Sequence, residues 1–190
     1  GRGDGQMNAT ACRRCGTCCR QGGPALHLED QELVASGKIP LKDLFTIRRG
    51  EPVYDNVTGI IAPSVTDIIK LKEASPGSDV CCFFESASKG CGIYGHRPAE
   101  CRALQCWDTQ PLVAIYDKNR LTRKDLVSDI KGLWELICDH QKRCDYDRIR
   151  KWVDAINSPA KAGAQKELVE IIQYEGPETI AAILMESVTG

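Results

Sequence analysis

What this chain lacks narrows it first. Its 25 lysines and arginines stand against 26 aspartates and glutamates, a formal net charge of −1, so nothing in its electrostatics points to nucleic acid or to an anionic membrane surface. No apolar run approaches the length of a membrane span, and a hydrophobic content of 42% is that of an ordinary globular chain. The N-terminus carries no apolar signal segment. No glycine-rich loop stands between a strand and a helix to cradle a phosphate, Gly22 and Gly23 included, so no nucleotide or S-adenosylmethionine site is expected. These absences predict a soluble, cytoplasmic protein that binds neither nucleic acid nor membrane.

Cysteine is what the chain has in excess. Four of its 11 cysteines, Cys12, Cys15, Cys18 and Cys19, fall within eight residues, and Cys81, Cys82, Cys91, Cys101 and Cys106 form a second group. Two Cys-x-x-Cys turns sharing Cys15 put three thiolates on one short loop, with Gly16 free to adopt the backbone such turns need. Tetrahedral ligation asks for a fourth thiolate, and the second group is the donor at hand. Adjacent cysteines point in different directions, so the pair Cys18 and Cys19 should divide between sites. A disulfide framework is the competing reading for a cysteine-dense chain. The odd count, two vicinal pairs and a length sufficient for a core without staples all weigh against it. The candidate metal ligands are Cys12, Cys15, Cys18, Cys19, Cys82, Cys91, Cys101 and Cys106.

The expected fold class is α+β. Residues 1–110 read as a small, loop-rich cysteine-cluster metal-binding domain with short strands, and residues 111–190 as a helical extension. In the first part, acidic residues precede Leu33 and Val34 and Gly37 follows, as in a short helix over 28–36. Val53 with Tyr54, 59–62 and 67–71 read as short strands, the first two joined as a hairpin around Asp55 and Asn56. The run from Ser75 to Ser78 is a turn. The segment 80–84 reads as a buried strand that delivers Cys81 and Cys82 to opposite faces, with Cys82 the expected ligand. In the second part, Leu126, Ile130, Leu133, Trp134 and Ile137 recur at helical steps, as do Ile149, Trp152, Val153 and Ile156. Pro159 and Pro177 mark breaks before two further stripes, one at Leu168, Val169, Ile171 and Ile172, the other at Ile180, Ile183, Leu184 and Val188. Those stripes would cover the cysteine domain or meet a protein partner or a second copy of the chain.

The segment from Cys91 to Arg102 joins the clusters. Pro98 suits the first turn of a helix, which puts Cys101 near the positive end, where a thiolate is favoured. Cys106 lies off the face of Cys101 unless the helix breaks before it. A thiolate centre is anionic, and Arg13, Arg14, Arg20, Arg97 and Arg102 stand beside cysteines to offset it, Arg97 and Arg102 foremost. Cys138, His140 and Cys144 read as structural or incidental, since two cysteines six residues apart share a site only if the helix ends between them. His96 reads as a turn residue, and His27 has no ligand-like neighbour.

Three stretches together carry a resemblance: the Cys12-x-x-Cys15-Gly16-x-Cys18-Cys19 run, then Cys82-Phe83-Phe84, then Cys91-x-Ile93-Tyr94-x-x-Arg97-Pro98-x-x-Cys101-Arg102 with Cys106 beyond. In these the first 110 residues resemble the YkgJ-type cysteine-cluster family, described as zinc- or iron-chelating. The resemblance implies a bound metal, zinc or iron; all-thiolate ligation suits zinc or an iron–sulfur cluster, in a structural or redox role. The cluster is also similar to that of a flagellin lysine methylase, associated with an iron–sulfur centre, so an enzyme using such a centre is one alternative. A metal carrier or interaction module is the other. No enzymatic activity is assigned.

Overall fold

The computed structural model describes residues 11–55, 57–156, 169, 170 and 173. Its strands are short and pair two by two: β1 (Leu44–Ile47) with β4 (Ile68–Leu71), β2 (Pro52–Asp55) with β3 (Ile60–Pro63), and β5 (Phe84–Glu85) with β6 (Gly90–Cys91), all antiparallel. Around them run α1 (Gln31–Ala35), α2 (Ala99–Ala103), α3 (Gln110–Ile115), α4 (Arg123–Val127), α5 (Leu133–Arg143) and α6 (Tyr146–Ile156), with four 3-10 turns. The molecule is therefore α+β and loop-rich, as its short periodic segments predict.

The centre is a strand-like stretch too short to be a named strand. Ala25 pairs with Lys70 on β4, and His27 pairs with Arg120. Between them Leu26 donates its N–H to the Ile69 carbonyl (2.8 Å) and accepts from the Leu121 N–H (2.9 Å). Residues directly opposite across an antiparallel pair share a face. Leu26, Ile69 and Leu121 thus fall on one side, where they join Ile39, Leu71 and Cys81 in the buried core. Each fully buried aliphatic side chain contributes roughly 1.5–3 kcal/mol. Lys70, Ala25, His27 and Arg120 fall on the other side. Leu121 places residues beyond position 110 in the same core as Leu26 and Ile39.

The helices after Leu121 are tied to the strands by arginines. Arg123 forks onto Asp67 (Nε to Oδ2 2.7 Å, Nη2 to Oδ1 3.0 Å). Buried Arg48 donates to the Cys144 carbonyl (2.9 Å) and lies over the Tyr146 ring. Arg150 donates to the Gly50 carbonyl (2.9 Å).

Two local expectations fail. The segment 80–84 is no strand: Cys81 makes an isolated bridge to Glu73, the Phe84 N–H turns back to the Cys81 carbonyl (2.9 Å), and only β5 remains extended. The cause is competition for its backbone, since the Cys81 N–H goes to the Cys19 carbonyl (2.7 Å) and the Cys82 N–H to the Lys72 carbonyl (3.0 Å), two different neighbours. The stripe from Leu126 to Ile137 is also broken, because α4 stops at Val127 and Gly132, at φ 81°, resets the backbone before α5. A left-handed residue cannot continue a right-handed helix. Of the stripes expected beyond Ser158, Leu168, Ile171, Ile172, Ile180, Ile183, Leu184 and Val188 lie outside the described residues. Among the described residues no helix is long and apolar enough to cross a membrane.

Candidate metal centre

The centre is built first from the loop 12–20. Arg14 (φ 53°) and Gly16 (φ 74°) are both left-handed, so the chain reverses twice before the 3-10 turn Cys18–Arg20. Gly16 is required twice over, since a Cβ there would stand 2.3 Å from Phe84 Cε2 as well as straining the backbone. The loop thereby rests on β5, with Arg20 stacked over the Phe84 ring at 4.7 Å. Cys15 lies 3.2 Å from the Thr17 hydroxyl, and bonds from Thr17 hold its thiol below the usual cysteine range.

The second half comes from β6 and α2. Cys91 sits on β6 opposite Phe84, and Cys101 lies in the first turn of α2, which follows Pro98. The helix ends at Ala103, and a turn around the bridge between Gln105 and Asp108 carries Cys106. The helix breaks before Cys106, the condition under which both thiols can face one site. What locks α2 is Asp30, fully buried, whose Oδ1 accepts from the Ala99 N–H (2.9 Å) and Oδ2 from the His27 N–H (3.0 Å). Glu100 completes the clamp, accepting from the Ala25 N–H (2.8 Å) and the His27 ring (3.3 Å). These clamp residues carry no sequence signature, because Asp30 reads as an ordinary helix-start carboxylate and its partner is 69 residues away.

Cys12, Cys15, Cys18, Cys19, Cys91, Cys101 and Cys106 line one cavity of about 340 Å³, together with Arg13, Arg14 and Arg97. Seven of the eight expected ligands are brought together. Cys82 is not among them: it packs at the edge of the apolar core, and burial followed by the charge of its neighbours Cys81 and Asp43 pushes its thiol up to about 11. Its vicinal partner Cys81 is buried in the core and does not line this cavity either. Burial pushes the Cys101 thiol well up, and the thiols of Cys81, Cys18, Cys91 and Cys19 add to it. Cys106, raised in the same way by its surroundings, feels Cys18, Cys15 and Cys12. Cys19 is raised to about 12, by burial first and then by Cys18. Crowded neutral thiols of this kind are stabilised as thiolates only when a cation enters.

Arg14 and Arg97 both stack on the Tyr94 ring, at 4.0 and 3.8 Å, which fixes two cations at the cavity wall. Arg102 turns away to Glu29 (2.9 Å) and does not line the cavity. His96 is exposed in a 3-10 turn, and Cys138, His140 and Cys144 lie on and after α5 outside the cavity.

A donor set of soft thiolates backed by guanidinium groups fits zinc or iron and not a hard cation such as calcium or magnesium. Among the described residues, however, no three His, Cys, Asp or Glu side chains already converge on one point as they would around a single ion. No curated protein and no solved structure matches the chain at a significant level. Residues 11–129 match the model of the CxxCxxCC family, described as a candidate zinc- or iron-chelating domain, and with more than half of its length inside that match, the chain belongs to this family.

Proposed function

We propose that the chain is a metal–thiolate protein whose cavity holds an iron–sulfur cluster, with zinc the ion the same thiols accept in air. The observation that carries this reading is the breadth of the thiol ring: seven cysteines line about 340 Å³ without three converging among the described residues. Four thiolates on one zinc ion, each ~2.3 Å from the metal, would stand only about 4 Å from one another. A cluster interposes sulfide and further iron, so its cysteine ligands stand apart. When bound, such a centre supplies one-electron redox chemistry or a rigid cross-link.

We assign Cys12, Cys15 and Cys106 to the exposed side of the cavity and Cys19, Cys91 and Cys101 to its partly buried side, with Cys18 between them, since it raises the thiols of both Cys101 and Cys106. Cys81, whose thiol adds to the rise at Cys101, is the ligand we propose in place of Cys82. Exposure of Cys12, Cys15 and Cys106 favours a second reading, a carrier whose outer thiols exchange metal with a partner.

Anaerobic purification tests the first reading. The expected protein is brown, absorbs broadly near roughly 400 nm and contains iron and sulfide. Cys81→Ser should lower metal content, and Cys82→Ser should leave it unchanged. A colourless protein loaded with zinc, unable to take up iron and sulfide on reconstitution, would leave a structural zinc module.

A further inference from the structure

The thiol cavity has a larger neighbour, a chamber of about 660 Å³ that shares Cys18, Cys19, Cys91 and Cys101 with it. Its floor is the second face of the central strand pairing. β4 reads Ile-Ile-Lys-Leu, and alternation sends Ile69 and Leu71 into the core while Ile68 and Lys70 face the opposite way. Ile68 meets Ala25, Ile47 and Val53 in a small apolar cluster. Lys70 stands beside it where another aliphatic residue would pack, and it lines the chamber with Arg120.

A lysine in such a place is normally paired or reaches water along its stem. The Lys70 side chain forms no hydrogen bond or ion pair among the described residues. Glu100, one of two acidic residues lining the chamber, has both oxygens engaged, one by the Ala25 N–H and one by the His27 ring. Arg120 is held in place by its Nε donating to the Tyr116 carbonyl (2.9 Å) and by stacking over the Tyr116 ring (4.8 Å). Arg20 and Asp79 also line the chamber, and both are exposed. The lining therefore carries three cations against two carboxylates, one of which is already satisfied. Burial lowers the Lys70 ammonium pKa, with Arg120 adding to this and Glu100 and Glu73 opposing it.

We propose that this chamber binds a small amphiphilic carboxylate, its charge taken by Lys70 and Arg120 and its apolar body by Ile47, Val53 and Ile68. The volume lies within the range of small-molecule sites, and a few converging charges on an apolar wall are their usual composition. The proposal does not depend on which metal the thiols hold, or on whether they hold one. Because the two cavities share four cysteines, a bound carboxylate would nonetheless sit against the thiol wall.

The test is calorimetric titration of the full-length protein, as purified, with 4-phenylbutyrate and with its neutral analogue 4-phenylbutan-1-ol. The carboxylate should bind at least about tenfold more tightly than the alcohol. Lys70→Met, which keeps the length and apolar stem, should erase that preference without lowering the melting temperature, whereas Lys70→Arg should retain it. Metal content measured on the same samples should be unchanged in both variants, so a failure of the carboxylate site and a failure of the metal centre read differently. Equal affinity for acid and alcohol, no binding of the acid at about 10 mM, a typical upper limit for a specific weak site, or a Lys70→Met protein that still prefers the acid would each overturn the proposal.

Discussion

His27 shows how a buried polar group acquires a role that its neighbours in sequence do not announce. Its Nδ1 lies 2.7 Å from the Lys118 carbonyl and its Nε2 lies 3.3 Å from Glu100. Both partners are acceptors, so both ring nitrogens must donate, and the imidazolium is the form that satisfies the site. The Glu100 hydrogen bond is the largest cause holding the folded pKa above the ordinary 6.5, with burial opposing it. A raised histidine pKa contributes stability that is fully present below the unfolded pKa and is lost as the pH rises through the folded one. The melting-temperature gap between wild type and His27→Gln should therefore be widest near pH 6 and shrink toward about pH 9. Thiol titration is common to both proteins and cancels in the difference; a gap constant over that range would assign His27 a packing role alone. At this scale the sequence says least, because the ring partners of His27, and Ala99 on Asp30, come from distant segments. Lys70 alone leaves a trace, as a charge inside an otherwise aliphatic strand.

Among the elements, legibility follows how local the cause is. The hairpin of β2 and β3, the short helix ended by Gly37, the turn at Ser75 to Ser78 and the helix opened by Pro98 are all dictated by residues within a few positions. The segment 80–84 is misread because its backbone bonds go to the Cys19 and Lys72 carbonyls, which periodicity cannot foresee. The expectation that Cys82 rather than Cys81 faces the metal rests on that alternation, which a turn replaces. The loop 12–20 is legible in its cysteines and in Gly16, but the surface that demands the glycine is not. Gly16→Ala should cost about 1–3 kcal/mol, combining a left-handed backbone with a clash against Phe84. Metal content should fall with it, because the loop carries four of the seven cavity cysteines. Pairing the change with Phe84→Leu should recover part of the loss by removing the ring that the new methyl meets. Full stability and full metal occupancy in Gly16→Ala would show that the loop reaches its bound geometry by another backbone path.

For the molecule as a whole, apolar burial and metal binding organise different regions. The core of Leu26, Ile39, Ile69, Leu71 and Leu121 is aliphatic and closed without a metal, and the arginine ties from Arg48, Arg123 and Arg150 attach α4 and α6 to the strands. The thiol cavity is enclosed by the loop 12–20, β6, α2 and the turn at Cys106, elements too short to be stable alone. Removing the metal should therefore loosen that half and leave the other folded, because ligand binding and folding are coupled only where the ligands supply the missing contacts. Chelation or mild acid should raise amide exchange in 12–20 and 90–106 by roughly the several-kcal/mol scale of a lost local structure. The β1 and β4 pairing and α4 to α6 should keep their protection and most of the helical circular dichroism. Cys81 sits in the aliphatic core while its N–H is held by the Cys19 carbonyl of the thiol loop, so exchange near residues 80–83 should rise by less than in the loop, marking the border between the two regimes. Uniform loss of protection would mean that the metal holds the entire fold, and unchanged exchange in 12–20 would mean that the loop is set by Gly16 and Phe84 without it.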